Sequence, residues 1–248
     1  MLILGIDTSG RQGSVALLRV QSHPHSEGAE LHTLEVVSLE GGQYSELLVP
    51  TVAGLLERQG LKRSELELIA VASGPGSFTG LRIAIATVKG LAETFGTPVV
   101  AVSVLEALAI GAHVEGKVIA ALDAQRSEVF FGEYLVQREV FRETQLSKAE
   151  PARMIRESIT SFAGFAAVLA GCDMTLVITP DESIATRLRE IEIQPRVVVR
   201  PDAEKYCRIA YRKFCAGIRA DVATLDANYL RRSDAEIFSA PRSGNAPA

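Results

Sequence analysis

Short, wholly apolar runs alternate with helical stretches along this chain, and their order gives the first structural reading. Leu2 to Ile6 is a continuous apolar run closed by Asp7, the pattern of a strand buried on both faces. Thr8-Ser9-Gly10-Arg11-Gln12-Gly13 has turn chemistry, and Ser14 to Leu18 returns as a second strand to make a hairpin. A polar loop from His23 to Gly28 follows, and Leu31 to Leu39 alternates as a third strand. Tyr44 to Leu56 predicts a helix whose apolar face is Leu47, Leu48, Thr51, Leu55 and Leu56. Pro50 either kinks it or marks its true start. Leu68 to Ala72 is a fourth strand and Pro98 to Val102 a fifth, with a helix from about Leu81 to Glu93 between them. Three strands in a meander, then helix, strand, helix, strand, is the ribonuclease-H-like order, in which crossovers add the last two strands.

The turn before that second helix is glycine-rich: Ser73-Gly74-Pro75-Gly76-Ser77-Phe78-Thr79-Gly80. Such a turn offers helix N–H groups to an anion. No Lys-Ser/Thr follows the last glycine and the spacing is wrong for a dinucleotide fingerprint, so a tight strand-to-helix turn is the simpler reading. In the helix, Arg82, Lys89 and Glu93 share one narrow stripe with Ala86, and the remaining positions are apolar or small. A helix apolar over most of its circumference is buried on more than one side. One side packs on its own sheet; the other needs a second helix or a second molecule. Ala84, Thr87 and Gly90 are small enough for close helix approach, and a central core helix would satisfy the same pattern.

Ile3 to Asp7 is echoed by Ile119 to Asp123, each followed by a polar turn and a second apolar strand, Val129 to Tyr134 in the later copy. This repeat predicts a duplicated, two-lobed α/β fold. The second lobe is expected to continue with a helix near Pro151 to Thr160, a strand near Ala166 to Ala170, a helix near Asp181 to Glu190 and a strand near Arg196 to Val199. A last helix from Ala203 to Ala216 is expected to lean on the first lobe. The expected division is residues 1–104, residues 105–238 and, from Ser239, a disordered tail.

Composition narrows the function classes. The chain has 248 residues, ordinary apolar (47%) and charged (23%) content, and a net charge of −4, which gives no bulk attraction to nucleic acid. Cys172, Cys207 and Cys215 contain no CxxC pair and are odd in number, so free thiols in a reducing, cytoplasmic setting are expected. No basic leader precedes the first strand, and no apolar run is long enough to span a bilayer. Asp7 and Asp123 sit at strand ends, where an acid can bind a metal or a ribose or simply close its own turn. A ribonuclease-H-type nuclease needs several converging carboxylates. Asp7 and Glu46 could be two, but the fourth strand ends in Ser73-Gly74, which argues against it. His23, His25, His32 and His113 form no metal-ligand pair on a helix, and no Ser-His-acid elbow is present.

Taken together, Ile6-Asp7-Thr8-Ser9, Ser45-Glu46-Leu47-Leu48-Val49-Pro50, Gly74 to Ile83, Asp123 to Phe130 and Tyr229-Leu230-Arg231 resemble the motifs of the bacterial TsaB (YeaZ) family, in order and over nearly the whole chain. The resemblance implies an ASKHA-type fold, that of actin, sugar kinases and the Hsp70 ATPase domain. It implies a non-catalytic subunit that binds TsaD, the paralogue that threonylcarbamoylates the tRNA adenosine next to the anticodon. The ATPase TsaE joins the complex, a homodimer forms when TsaD is absent, and tRNA is met indirectly through the complex. It implies no catalytic residue, no metal ligand and no cofactor of its own, with ATP or ADP only at the interface with partner subunits. The partner interface would be Tyr44, Leu47, Leu48, Thr51, Leu55, Ala84, Thr87, Val88 and Leu91. Asp7, Thr8, Ser9, Gly74, Gly76 and Gly80 would be the remains of a nucleotide loop. Two departures stand out: Tyr44 replaces the family's usual His, and Gln125-Arg126-Ser127 replaces Arg-Arg-Gly. The alternatives are an ATP-dependent phosphotransferase or a glycoprotease-like hydrolase of the same fold, for which Asp7 and the Gly74–Gly80 turn are the candidate groups.

Overall fold

β1 (Leu2–Asp7) is buried along its whole length because it lies at the centre of a five-stranded sheet. The structure, a computed structural model, describes residues 1–22, 29–137, 152–172, 175–228 and 230. Sheet I has the order β3-β2-β1-β4-β5, with β2 Gln12–Ser22, β3 Ala29–Glu40, β4 Leu68–Gly74 and β5 Val99–Ser103. The pairs β1–β2 and β2–β3 are antiparallel, and β1–β4 and β4–β5 parallel. Helices α1 (Tyr44–Arg58) and α2 (Phe78–Phe95) cover its outer face, where Leu48, Leu55, Ala84 and Val88 pack in one cluster with Leu4, Ile6, Val15 and Val71. Ser77 caps α2 by accepting from the Gly80 N–H at 3.2 Å, and Gly96 ends it in the left-handed region.

Sheet II repeats the plan. Its order is β10-β9-β6-β7-β8, with β6 Gly116–Asp123, β7 Glu128–Val136, β8 Ala152–Ser161, β9 Leu176–Thr179 and β10 Arg196–Val197. The antiparallel β6–β7–β8 meander and the parallel β6–β9–β10 set match sheet I strand for strand. Both lobes are therefore ribonuclease-H-like, and the fold is a duplicated α/β fold of ASKHA type. Helices α4 (Phe162–Ala170) and α5 (Glu182–Glu190) cover the outer face of sheet II.

The space between the sheets holds α3 (Val104–Gly111) and α6 (Ala203–Cys215). α6 packs on β1, β2, β4 and β5; α3 packs on β6, β7 and β9 as well as on β4 and β5. One apolar cluster runs from Ile3 and Ala70 through Leu105, Leu108, Tyr206 and Ala210 to Val118 and Ile178, so the lobes share a core. Inside it, Lys213 of α6 donates to both oxygens of Glu106 of α3, at 2.9 and 2.6 Å. After α6 the chain becomes a strap around the edge of sheet I. Ala220 donates to the Val99 carbonyl, Lys89 of α2 reaches the Ala223 carbonyl, and Leu225 and Ala227 enter the α1–α2 core.

Several expectations need correction. A helix was expected near Pro151 to Thr160; Ala152–Ser161 instead form β8, held in antiparallel register by β7. The run near Ala166 to Ala170, expected as a strand, is α4, whose buried Phe162, Phe165 and Leu169 lie on one face. A short apolar run does not distinguish the two by periodicity. Elements α3 and β9 were not expected at all. Pro50 neither starts nor ends α1, which begins at Tyr44 and runs through it, with Pro50 on the exposed side. His23, His25, Tyr229, Arg231, Pro151 and the tail from Ser239 lie outside the described residues.

Candidate functional site

The two strand-end turns, after β1 and after β6, face each other across a cleft of about 1550 Å³ between the lobes. Its first-lobe wall is the β1–β2 turn, Gly41, Gly42, Tyr44 and the loop from Pro75 into α2; its second-lobe wall includes Leu122, the β6–β7 turn, Phe130 and Asp181.

The six residues expected as a nucleotide-loop remnant do come together, packed on one another. Asp7 Oδ1 accepts from the Ser9 N–H (2.8 Å) and the Ser9 hydroxyl (2.6 Å), closing its own turn. Thr8 donates to the Gly80 carbonyl at 2.6 Å, and Ser77 N–H donates to the Ser9 carbonyl at 2.8 Å. A Cβ on Gly76 would lie 2.2 Å from the Ser9 carbonyl oxygen, and one on Gly80 2.0 Å from that of Thr8. Gly74 has φ +108°, and its bond to Pro75 is cis. These glycines let the β1 turn and the α2 N-terminus interlock backbone to backbone.

Arg200 lies over the same turn. It reaches back from beyond β10, donates to the Ser9 hydroxyl at 3.2 Å, and lies against Gly10. Burial raises the Asp7 carboxyl above the usual carboxylate range, while Arg200 and the Ser9 hydrogen bonds act in the opposite direction. A divalent metal does not fit at Asp7. The carboxylate is 2% exposed, one oxygen takes both Ser9 donors, and the charge facing it is a guanidinium. Among the described residues, no three His, Cys, Asp or Glu side chains are grouped to share an ion. Sequence reasoning missed Arg200, whose signal was a lone charge closing the apolar run Val197 to Val199, as Asp7 and Asp123 close theirs.

The second-lobe turn is strained. Gln125, Arg126 and Ser127 all have left-handed φ, +62°, +53° and +62°. L-residues adopt that region at a cost of about 1–2 kcal/mol each and seldom in series. Asp123 Oδ1 accepts from the Gln125 N–H at 2.7 Å, and Glu128 N–H donates to the Gln125 carbonyl at 3.0 Å, which together hold the turn. Ser127→Gly is expected to raise stability by about 1 kcal/mol, seen as a melting temperature about 2–4 °C higher. A lower melting temperature would mean the serine side chain contributes more than the strain removes.

The residues expected at a partner interface divide in two. Tyr44 (4% exposed), Leu48 (1%), Leu55 (0%), Ala84 (0%) and Val88 (0%) are core of this chain, a correction to that expectation. They face sheet I, and Tyr44 also packs on Gly13 and donates to the Gly10 carbonyl at 2.9 Å. Leu47, Thr51, Thr87 and Leu91 are half-buried and lie, with Ile83, on the outer sides of α1 and α2. Their spacing (47, 51, 54 on one helix; 83, 87, 90, 91, 94 on the other) makes two neighbouring stripes without a charge. Gly90 is exposed, inside a helix, and a Cβ there would meet nothing within 4 Å among the described residues.

Comparison with known proteins places this geometry in a family. A family model described as TsaD, tRNA N6-adenosine threonylcarbamoyltransferase, matches residues 39–237. The chain is 28% identical over 240 residues to the tRNA threonylcarbamoyladenosine biosynthesis protein TsaB of Escherichia coli, covering 94% of this chain and 96% of that protein. It is 36% identical over 135 residues to the protein of the same name from Bacillus subtilis, where the match spans 54% of this chain and 55% of the relative. The solved structure of YeaZ from Pseudomonas aeruginosa superposes with a TM-score of 0.67 at 28% identity, covering 92% of this chain and 100% of that one. No described helix is long and apolar enough to cross a membrane.

Proposed function

The chain belongs to the TsaB (YeaZ) family, whose members are named for tRNA threonylcarbamoyladenosine biosynthesis, and from that premise we propose that it is a non-catalytic subunit that docks the TsaD transferase through the outer face of α1 and α2. The observation that carries this reading is Gly90. A glycine inside a helix costs about 1 kcal/mol relative to alanine. Nothing among the described residues needs its missing Cβ. A partner helix crossing closely at Gly90, with Ile83, Thr87 and Leu91 beside it and Leu47 and Thr51 on the neighbouring helix, supplies the reason.

The non-catalytic reading is supported by the way Asp7 is held, turned into its own loop and faced by Arg200. A phosphotransferase would need that carboxylate free for a metal, so the enzyme alternatives lose their main candidate. In this reading the same face pairs two copies of the chain when TsaD is absent, TsaE joins the assembled complex, and any ATP or ADP sits between subunits.

The test is light scattering after size exclusion, on the chain alone and mixed with the TsaD protein of the same source. The wild type is expected as a dimer that converts to a one-to-one heterodimer. Thr87→Arg is expected to stay folded, within about 0.5 kcal/mol of wild type as partly exposed substitutions usually are, and to form neither species. Gly90→Ala is expected to raise monomer stability by about 1 kcal/mol and weaken association. If both variants associate as the wild type does, the docking face is elsewhere.

A further inference from the structure

We propose that the rim of the inter-lobe cleft contacts the phosphate backbone of the RNA on which the complex acts. This goes beyond an indirect role for RNA and rests on the pathway assignment, but not on the α1–α2 docking face. The chain as a whole is acidic, with net charge −4. Among the described residues the lining of its cleft is not: four arginines, Arg11, Arg82, Arg126 and Arg200, stand against two acids, Asp123 and Asp181. Arg200 is turned inward to Ser9 and Asp7, whereas Arg11, Arg82 and Arg126 are exposed.

Those three come from three separate elements: the β1–β2 turn, the second turn of α2, and the β6–β7 turn. The two hairpin turns are counterparts in the duplicated fold, so the duplication sets one guanidinium on each side of the cleft. The Arg126 side is the strained one, with left-handed backbone at three successive non-glycine residues. Strain of this kind concentrates where a side chain must be presented in one place. Phe78, 38% exposed on the same wall, carries the Arg82 guanidinium 4.2 Å from its ring centre and offers an aromatic edge to an unstacked base.

Exposed guanidinium groups spread along a rim suit a phosphodiester backbone more than a single nucleotide. A nucleoside triphosphate needs its charge gathered at one point, commonly with a metal, and the carboxylate nearest that point is held by Ser9 and faced by Arg200.

Fluorescence anisotropy with a labelled anticodon stem-loop RNA tests the proposal. With three phosphates contacted, wild-type affinity should fall roughly 20- to 40-fold between about 50 and 200 mM monovalent salt. Each of Arg11→Ala, Arg82→Ala and Arg126→Ala should lower the salt slope by about 1, and Arg126→Lys should keep most of it. The triple alanine variant should lose RNA binding and still form the heterodimer with TsaD, which separates this proposal from the docking one. If the triple variant unfolds, the single variants carry the same reading. No RNA binding by the wild type at low salt overturns the proposal. So does alanine-variant binding equal to wild type, or displacement of the RNA by magnesium-ATP at stoichiometric concentration.

Discussion

Gly80→Ala is expected to cost about 4 kcal/mol or more, a large share of a whole-protein stability that runs to only about 5–15 kcal/mol. The added methyl would lie 2.0 Å from the Thr8 carbonyl oxygen and 3.1 Å from its carbon. Thr8 is fully buried at the end of the central strand of sheet I and cannot move aside. α2 would have to lift by about 1 Å to reach ordinary contact, in a core where even small overpacking costs about 1–3 kcal/mol. That lift would strain the Thr8 to Gly80 and Ser77 to Ser9 hydrogen bonds together. Urea unfolding measures the effect, and Gly90→Ala is its internal control: same helix, same substitution, opposite sign. A Gly80→Ala variant within about 1 kcal/mol of wild type would show that the interlock is looser than its contacts imply.

The second large effect is at the ion pair between the sheets. Glu106 is 4% exposed and Lys213 9%, and the lysine bonds both carboxylate oxygens. Removing one partner leaves a charge in apolar surroundings, so Glu106→Ala is expected to cost about 3–5 kcal/mol. Replacing both, as Glu106→Leu with Lys213→Met, is expected to fall within about 1–2 kcal/mol of wild type, because similar-volume apolar side chains avoid the desolvation of two ions. A double-mutant cycle in urea reads the coupling. Should the double variant be as unstable as Glu106→Ala, the pair would be holding α3 and α6 in register as well as neutralising itself.

The first lobe was legible because its signals are local. β1 ends in an acid, the hairpin has turn residues, and α2 follows directly on the glycine-rich turn from Ser73 to Gly80. The second lobe was harder to read where burial is set by distant partners. β8 exists because β7 offers an edge for it to pair with, a partner no local pattern shows. The candidate site divides the same way. Asp7, Ser9 and Gly80 were visible as a motif, whereas Arg200 reaches Ser9 from 191 positions away, a contact no local pattern encodes. Five interface candidates proved to be core because apolar character marks both kinds of contact. Only the side of the helix tells them apart, and α2 is apolar on nearly all sides.

The position of α6 also has a consequence for synthesis. Sheet I is complete once β5 emerges, but the apolar face that α6 covers stays bare until the far end of the second lobe has been made. The chain therefore cannot fold lobe by lobe as it leaves the ribosome. Its opening strands must wait, sticky and half-dressed, for its last helix, so a message cut short before Ala203 should yield an aggregate for proteases to clear, not a smaller working protein.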